Sequence, residues 1–394
     1  RGLGDVYKRQ GCNDTLYDTI IVQPAEKPIV QFSAQDSVCI IQKLDLTNNS
    51  FNAINFTWDY YFDEVSVDPV QNSPISIAGA SRTEGIEVVF TKGKWYGFIT
   101  DRTTGIITRL DYGESLNSIP TEIKLGIIGS SGNGIRIIEE SGNWYGIMAS
   151  YNGRKIYRLS FGADIEAIPT VEDLGNLNGW DFLRGIDLVN FNDSIYVAVS
   201  SFTTNQVTLI NFGTTIVNPP VWVRDLEHAG QIDWPAGLSF SVVDSKLYGL
   251  VSSYSNNKAF LVSFADDQLS VETFHELGTI SKPTDTELIK TGNKIFGLAL
   301  SESDGLYKLE FGPSIDIGSL PPIQTVPGLS LPTQTWNMRK VRNSPDWQLM
   351  ILKREGPLYR IDFNDSTGGQ TSFEPDIAFF QPGSYPIELT AFSS

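Results

Sequence analysis

The sequence predicts an all-β protein built mainly as a six-bladed β-propeller with four-stranded blades. Three observations carry this prediction. The string KWYGFITD at 94–101 returns as NWYGIMAS at 143–150 and then four more times in weaker form. A second string that ends in an aromatic residue follows each copy, and a β-rich run that begins with Gly, Asp or Asn precedes each copy. Repeats of about 40–50 residues with four short strands each are typical of propeller blades.

The period of the repeat is regular. The central residues of the first string are Tyr96, Tyr145, Tyr196, Tyr248, Phe296 and Gln348, at intervals of 49, 51, 52, 48 and 52. The aromatic ends of the second string are Tyr112, Phe161, Phe212, Phe264, Phe311 and Phe363. Two independent markers with one period indicate a true internal repeat.

The first strand of each copy begins with a residue that tolerates a positive φ. Counted 11 positions before each central residue, the six are Gly85, Gly134, Gly185, Gly237, Asp285 and Asn337. We therefore expect the chain to enter each inner strand through the same tight turn.

The last copy lacks its fourth strand. The segment PISIAG at 74–79 lies at the right spacing before the first copy to supply it. We expect Ile75 and Ile77 to complete blade six, which would latch the ring and remove an exposed sheet edge.

Composition excludes several classes of function. The chain has 394 residues, 41% of them hydrophobic, and a net charge of −17. A strongly acidic surface argues against a nucleic-acid partner and against an anionic membrane. No apolar run in the sequence reaches the roughly 20 residues that span a bilayer, so we expect no membrane insertion.

Two segments outside the repeat resemble parts of one PKD-type, immunoglobulin-like sandwich. The matching features are Asn48 to Ser50, Trp58 with Asp59, and a late motif of Gly383, Ser384, Tyr385, Ile387 and Leu389. The glycines of the family signature are absent, since WDYYFDEV stands where WDFGDG is expected. The resemblance implies a propeller (69–366) inserted into a sandwich (28–68 and 367–394), with the closing strand of a preceding PKD-like domain and a linker at 11–27.

The same resemblance implies a setting. Such arrays are similar to those of secreted Bacteroidota surface proteins exported by the type IX route, so we expect an extracellular or cell-surface location and neighbouring PKD-like domains. Residues 1–10, RGLGDVYKRQ, resemble a translated sequencing adapter and are taken as non-native. We expect the chain to be an internal fragment of a longer protein.

The sequence contains two cysteines, Cys12 and Cys39. An extracellular location permits disulfides. Either the two pair with each other, or each pairs with a residue outside this sequence, as the register of consecutive sandwiches implies.

Catalytic motifs are absent from the sequence. His228 and His275 lie 47 positions apart without the ligand spacing of a zinc site, and no nucleophile elbow or P-loop occurs. The string SESDGLY at 301–307 resembles a sialidase Asp-box, but one copy at one hairpin is read as a turn. We therefore assign no catalytic and no metal-binding residue.

Two sets of residues are candidates for binding. Two positions into each inner strand, a polar residue recurs as a ring of mixed charge around the channel: Glu87, Arg136, Asp187, Ser239, Glu287 and Arg339. The ring is either a structural set of ion pairs or a floor that binds a polar ligand. The loops that lead into the inner strands carry a second set, the crown residues: Arg82, Asn133, Trp180, Asp181, Arg184, Trp234, Asp285, Trp336 and Asn337. Their tryptophans either stack on a ligand or wedge between blades.

These observations favour a non-catalytic binding or adhesion module whose crown holds a polysaccharide or a surface protein. One alternative is a propeller enzyme that acts on a carbohydrate or a lactone. Calcium is a conceivable cofactor for that enzyme, with Glu87, Asp187 and Glu287 as ligands that Arg136 and Arg339 would oppose. Another alternative is a structural spacer.

Overall fold

The computed structural model describes residues 29–34, 43–53, 55–60, 69–79, 81–129, 131–266, 268–270, 272–291, 294–343, 346–363, 369–370, 377–378 and 387–392. In chain order the strands are β1 (Phe32–Ala34), β2 (Lys43–Leu44), β3 (Leu46–Asn48), β4 (Asn55–Tyr60), β5 (Val70–Gln71), β6 (Thr83–Thr91), β7 (Lys94–Asp101), β8 (Ile106–Gly113), β9 (Thr121–Ile127), β10 (Gly132–Glu140), β11 (Asn143–Ser150), β12 (Lys155–Gly162), β13 (Thr170–Gly175), β14 (Leu183–Phe191), β15 (Ser194–Ser201), β16 (Gln206–Asn211), β17 (Trp222–Asp225), β18 (Pro235–Val243), β19 (Lys246–Ser253), β20 (Lys258–Phe264), β21 (Glu272–Thr279), β22 (Pro283–Thr291), β23 (Lys294–Ser301), β24 (Gly305–Gly312), β25 (Gln324–Thr325), β26 (Thr335–Asn343), β27 (Asp346–Lys353), β28 (Leu358–Phe363), β29 (Gly369–Gln370), β30 (Ile377–Ala378) and β31 (Ile387–Phe392).

Six antiparallel four-stranded sheets form the blades, which confirms the predicted propeller. Their strand orders are β6-β7-β8-β9, β10-β11-β12-β13, β14-β15-β16-β17, β18-β19-β20-β21, β22-β23-β24-β25 and β26-β27-β28-β5. The first strands of adjacent blades lie side by side, and β26 returns to β6, so the inner strands make a closed ring.

A segment from before the first blade closes the last one, as predicted, but it begins earlier in the chain. Gln71 pairs with Ile361 in β28, and an isolated bridge then joins Ile75 to Leu358. Ile77 forms no part of this ladder. It is buried instead among apolar side chains of blades one and six, so the closure combines strand pairing with packing.

Apolar clusters between blades form the core. One of them joins Tyr96 and Phe98 of blade one to Trp144 and Met148 of blade two, and similar clusters occur around the ring. Each blade buries a face of its sheet only because a neighbour covers it, as expected for a propeller.

The repeated glycines at the axis have a different cause from the predicted turn. Gly85, Gly134, Gly185 and Gly237 lie inside inner strands and none has a positive φ. A Cβ on Gly85 would lie 1.9 Å from the carbonyl oxygen of Asn133 in the next blade. Glycine is required there because neighbouring inner strands approach too closely for a side chain.

The chain comprises two compact units. One consists of 58–370 with 380–388 and contains the propeller, and the other consists of 1–57, 371–379 and 389–394. In the second unit β1 pairs with β3, and β2 pairs with β30. The predicted PKD-like sandwich is not tested by these pairings, and Cys12, Cys39 and residues 1–27 lie outside the described residues. Among the described residues, no helix has the length and apolar character needed to cross a bilayer.

Candidate functional site

The hairpins between the second and third strands place one side chain from every blade around the same end of the axis. These residues follow the repeat centre by six positions: Arg102, Tyr151, Phe202, Tyr254, Glu302 and Arg354. The amide of each donates a hydrogen bond to the segment that leads into the inner strand of its own blade, as Arg102 does to Arg82 and Arg354 does to Gln334. The six positions are therefore structurally equivalent, although their residue types differ.

A second ring lies beside the first, at the beginning of each inner strand. Its members precede the repeat centre by 12 positions: Glu84, Asn133, Arg184, Ala236, Thr284 and Trp336. They line a small cavity on the axis of about 10 Å³, room for about one water molecule. We call these two rings, together with Arg82, the axial cluster.

Glu84 is the centre of the axial cluster. Its side chain is fully buried, and four guanidinium groups surround its carboxylate. The nitrogen–oxygen distances are 2.6 Å for Arg82, 3.2 Å for Arg102, 3.6 Å for Arg184 and 3.0 Å for Arg354. Burial by itself would raise the pKa of Glu84, but the four arginines together hold that pKa below its ordinary value, so the carboxylate is ionised.

Aromatic side chains pack against these arginines. The guanidinium carbon of Arg184 lies 4.9 Å from the ring centroid of Tyr151, 4.4 Å from Phe202 and 4.3 Å from Trp336. The guanidinium carbon of Arg354 lies 3.7 Å from the centroid of the Trp336 ring. Such cation–π contacts stabilise the positions of Arg184 and Arg354 beside Glu84.

Tyr254 and Glu302 form a hydrogen-bonded pair at the edge of the axial cluster. The tyrosine hydroxyl donates to Glu302 Oε2 at 2.5 Å, and Lys282 Nζ lies 3.4 Å from the same oxygen. Burial, followed by the hydrogen bond to Glu302, raises the pKa of Tyr254 to about 12. At neutral pH the phenol therefore keeps its proton and can donate it, while the carboxylate can accept one.

Asp285 and Asn337 connect adjacent inner strands below this level. Asp285 Oδ2 accepts hydrogen bonds from the Met338 amide at 2.8 Å and from Asn337 Nδ2 at 2.7 Å. Asn337 Oδ1 accepts one from the Ile86 amide of blade one. Deep burial raises the pKa of Asp285 to about 8. These two crown residues thus bridge blades five, six and one.

The predicted channel ring is present as a set of buried ion pairs. Arg136 Nε lies 2.7 Å from Asp187 Oδ1, and Arg339 Nε lies 2.8 Å from Glu87 Oε1. Arg339 Nη1 also approaches Glu287 at 3.3 Å. Burial opposes ionisation of Asp187, yet Arg136 and Arg339 lower its pKa below the ordinary value. Ser239, the uncharged member, is buried in the same layer.

The remaining crown residues divide into buried and peripheral positions. Trp180 packs in the core between blades two and three, and its indole N–H donates to Thr208 Oγ1 at 2.9 Å. Of the two alternatives for the crown tryptophans, Trp180 therefore follows the second, because it wedges between blades. Trp234 is 42% exposed and lies against Phe202, and Asp181 pairs with Arg154 at 2.7 Å.

Neither histidine belongs to the axial cluster. His228 Nε2 is hydrogen-bonded to the carbonyl of Asn205, and His275 Nε2 lies 2.8 Å from Ser263 Oγ on the two outer strands of blade four. SESDGLY forms the β23–β24 hairpin, and its Glu302 is the residue that joins the cluster. No group of three His, Cys, Asp or Glu residues that could hold a metal occurs in the part of the chain that the structure describes.

The sequence analysis did not predict the first of these two rings, whose residues lie on the hairpins between the second and third strands of the blades. The six residues share a position in the repeat but not one residue type, since they are two arginines, two tyrosines, a phenylalanine and a glutamate. Counting six positions from each repeat centre would have found them.

Comparison with known proteins bears on the fold. No protein-family model and no curated protein matches the chain. A protein of unknown function from Dyadobacter fermentans has a TM-score of 0.54 at 7% identity, over 75% of this chain and 98% of that one. Luciferin-regenerating enzyme has a TM-score of 0.50 at 12% identity, over 74% and 95%. A GH43 β-xylosidase/α-arabinofuranosidase from a compost microbial metagenome has a TM-score of 0.41 at 7% identity, over 65% and 94%.

These comparisons contradict the expected non-catalytic binding module. Luciferin-regenerating enzyme, one of the two structures above with a TM-score of 0.50 or more, is an enzyme by name. The preference for adhesion over catalysis was therefore wrong, and it rested on searching for local sequence motifs. In a propeller, by contrast, a site is assembled from residues about 50 positions apart, one blade at a time.

Proposed function

We propose that the chain is a propeller enzyme that acts on a carbohydrate or a lactone at the axial cluster, with hydrolysis of a sugar lactone as its reaction. The observation that carries this proposal is the Tyr254–Glu302 pair beside the cationic centre. A proton acceptor, a proton donor and fixed positive charges are the three components that ester hydrolysis needs. Luciferin-regenerating enzyme shows that this fold accommodates an enzyme.

Each residue has a defined role in this reaction. Glu302 accepts a proton from water as the water oxygen bonds to the lactone carbonyl carbon, and the carbonyl electron pair moves onto its oxygen. Arg354, which interacts electrostatically with both Glu84 and Glu302, stabilises that oxyanion. The ring C–O bond then breaks. Tyr254 gives its proton to the departing oxygen and regains one from Glu302.

Calcium does not fit the carboxylates at the axis. Calcium needs six to eight oxygen ligands. The oxygens of Glu84 face four guanidinium groups, and Glu87, Asp187 and Glu287 are paired with cations of the channel ring. The proposed reaction therefore uses no metal at these residues.

The experiment is a pH-stat assay of the purified chain on γ- and δ-lactones of sugars, with spontaneous hydrolysis subtracted. Loss of the proton acceptor in Glu302→Gln is expected to lower kcat by about 10²–10⁴-fold. Glu276→Gln is the matched control, because among the described residues that glutamate forms its ion pair with Lys258 alone, on an outer hairpin. No lactone hydrolysed above background, or equal kcat in the two variants, would overturn the proposal.

The setting of the enzyme is also part of the proposal. The resemblance of 28–68 and 367–394 to a PKD-type sandwich supports an extracellular or cell-surface protein of Bacteroidota, carried among neighbouring PKD-like domains. In that setting polysaccharides, or their breakdown products, would be the accessible substrates.

A further inference from the structure

Positive charge at the axial cluster exceeds what its carboxylates neutralise. Arg82, Arg102, Arg184 and Arg354 all converge on Glu84. Glu302 is the other acidic member of the cluster, and Lys282 lies 3.4 Å from it. The chain as a whole carries a net charge of −17, so this excess is local and opposite in sign to the rest of the protein.

Arg184 is the least satisfied of these cations. Its side chain is 6% exposed and lines the axial cavity, yet its Nε and Nη1 have no hydrogen-bond partner among the described residues. Burial lowers its pKa to about 10, and the neighbouring arginines act in the same direction. Buried N–H groups without hydrogen-bond acceptors are destabilising, and an anion that accepts those hydrogen bonds removes that cost.

The channel ring provides the contrast within the same molecule. There three carboxylates, Glu87, Asp187 and Glu287, face three cations, Arg136, Arg339 and Lys340, and both arginines lie within 2.8 Å of a carboxylate oxygen. Ion pairs whose role is only to join blades thus contain equal numbers of positive and negative groups. The imbalance at the axial cluster therefore has another cause.

We propose that the substrate carries an oxyanion, a carboxylate or a phosphate, which the guanidinium groups of the axial cluster bind. The inference rests on the proposed function and assigns its substrate class: an acidic sugar derivative. Arginine suits this role because its planar fork donates two parallel hydrogen bonds to such a group. The ring of Tyr254, which is partly buried and packs against Trp336, provides an apolar surface beside the cations for the rest of the sugar.

Binding of simple anions tests this assignment without relying on catalysis. Inorganic phosphate, gluconate and glucuronate are titrated into the full chain, with glucose as the neutral comparison. Calorimetry and the fluorescence of Trp336, which lies against two of the arginines, report binding. At least one anion is expected to bind, glucose is not, and added salt is expected to weaken the affinity. Phosphate binding without sugar-acid binding assigns the phosphate, and the converse assigns the carboxylate.

Two arginine variants localise the site. Arg82→Gln removes a side chain that is 30% exposed and therefore leaves the fold intact, and it is expected to raise Kd about tenfold. Arg154→Gln is the matched control. It removes the same charge from a hairpin of the same face, where Arg154 is 53% exposed and pairs with Asp181 outside the cluster. Equal affinity of the two variants, or no anion bound by the parent chain, would overturn the inference.

The outcomes separate this inference from the proposed hydrolysis. Anion binding that depends on Arg82, without turnover of any lactone, supports the oxyanion site and refutes the reaction. Turnover of neutral lactones with kcat/KM equal to that of acidic ones supports the reaction and refutes the oxyanion site.

Discussion

Replacing Glu84 with glutamine tests the electrostatic account of the axial cluster. The substitution keeps the shape of the side chain but leaves four guanidinium groups without their shared counter-charge. Arg82 can turn towards solvent because it is 30% exposed, whereas Arg184, at 6%, cannot. Removing one partner of a buried ion pair costs about 3–5 kcal/mol, so we expect a loss of that size in the free energy of unfolding. With a urea m-value of about 3 kcal/mol/M, the midpoint falls by about 1–2 M.

The pH dependence of this loss has a definite sign. The arginines lower the pKa of Glu84 in the folded protein, against the opposing effect of burial. The stabilisation by Glu84 is therefore fully present above the unfolded-state pKa of about 4.3, and it is lost as pH falls through the lower folded-state value. The difference between parent and Glu84→Gln is expected to be large at pH 7 and to shrink at acidic pH.

Urea unfolding followed by tryptophan fluorescence at pH 7 and at pH 3.5 measures both effects. Glu276→Gln is the control, since its partner Lys258 is 35% exposed and an exposed pair contributes less than about 1 kcal/mol. If Glu84→Gln and Glu276→Gln unfold within 1 kcal/mol of each other at pH 7, the account of Glu84 as the centre of a cationic cluster is refuted.

Three further predictions concern the axis and the crown. Gly85→Ala places a Cβ 1.9 Å from a backbone oxygen of the next blade and is expected to lower the free energy of unfolding by about 3 kcal/mol or more in the same urea assay. Gly318→Ala, in a loop, is the control and is expected to be nearly neutral. Burial raises the pKa of Asp285 to about 8, so the folded protein binds a proton that the unfolded chain releases above pH 4, and the stability of the parent falls between pH 4 and 8. Asp285→Asn is therefore expected to gain stability relative to the parent by up to about 1.4 kcal/mol per pH unit in that range. Parallel curves of stability against pH for the two proteins would refute this prediction. Trp180→Ala is expected to cost about 3–5 kcal/mol and Trp234→Ala less than about 1, since the first indole is 2% exposed and the second 42%; equal melting temperatures would contradict the assignment of Trp180 to the core.

The similarity between the six copies of the repeat made the propeller architecture predictable from the sequence. The aromatic centres and ends of each blade recur because every blade packs against its neighbours in the same way, so Tyr96 and Trp144 occupy buried positions as their period indicates. The channel ring was found for a related reason. Its members, among them Arg136 and Arg339, are polar residues inside otherwise apolar strands, and charge in such a place stands out in a sequence.

The hairpin residues of the axial cluster were harder to predict than its crown residues, because their residue types differ from blade to blade. Each blade contributes one residue at the same hairpin position, but the proposed reaction needs a cation from Arg354, an acid from Glu302 and a phenol from Tyr254. A search for similar strings passes over positions that differ. Glycine was ambiguous for another reason. A repeated glycine is expected both where the backbone has a positive φ and where another backbone approaches closely. At Gly85 the contact with the neighbouring blade, which the sequence does not show, is what distinguishes the two causes.

The two charged layers at the axis, the channel ring and the axial cluster, differ in how far their charges are balanced. Closing a ring of blades needs specific contacts between neighbours, and Glu87 with Arg339 supplies one across the junction where blade six meets blade one. That layer is balanced because an unpaired charge there would only weaken the ring. The layer around Glu84 holds four cations against one central carboxylate and leaves Arg184 with unpaired N–H groups. A ligand that accepts these hydrogen bonds would remove the imbalance, so the same physical rule that explains the lower layer as structural supports the proposed oxyanion site in the upper one.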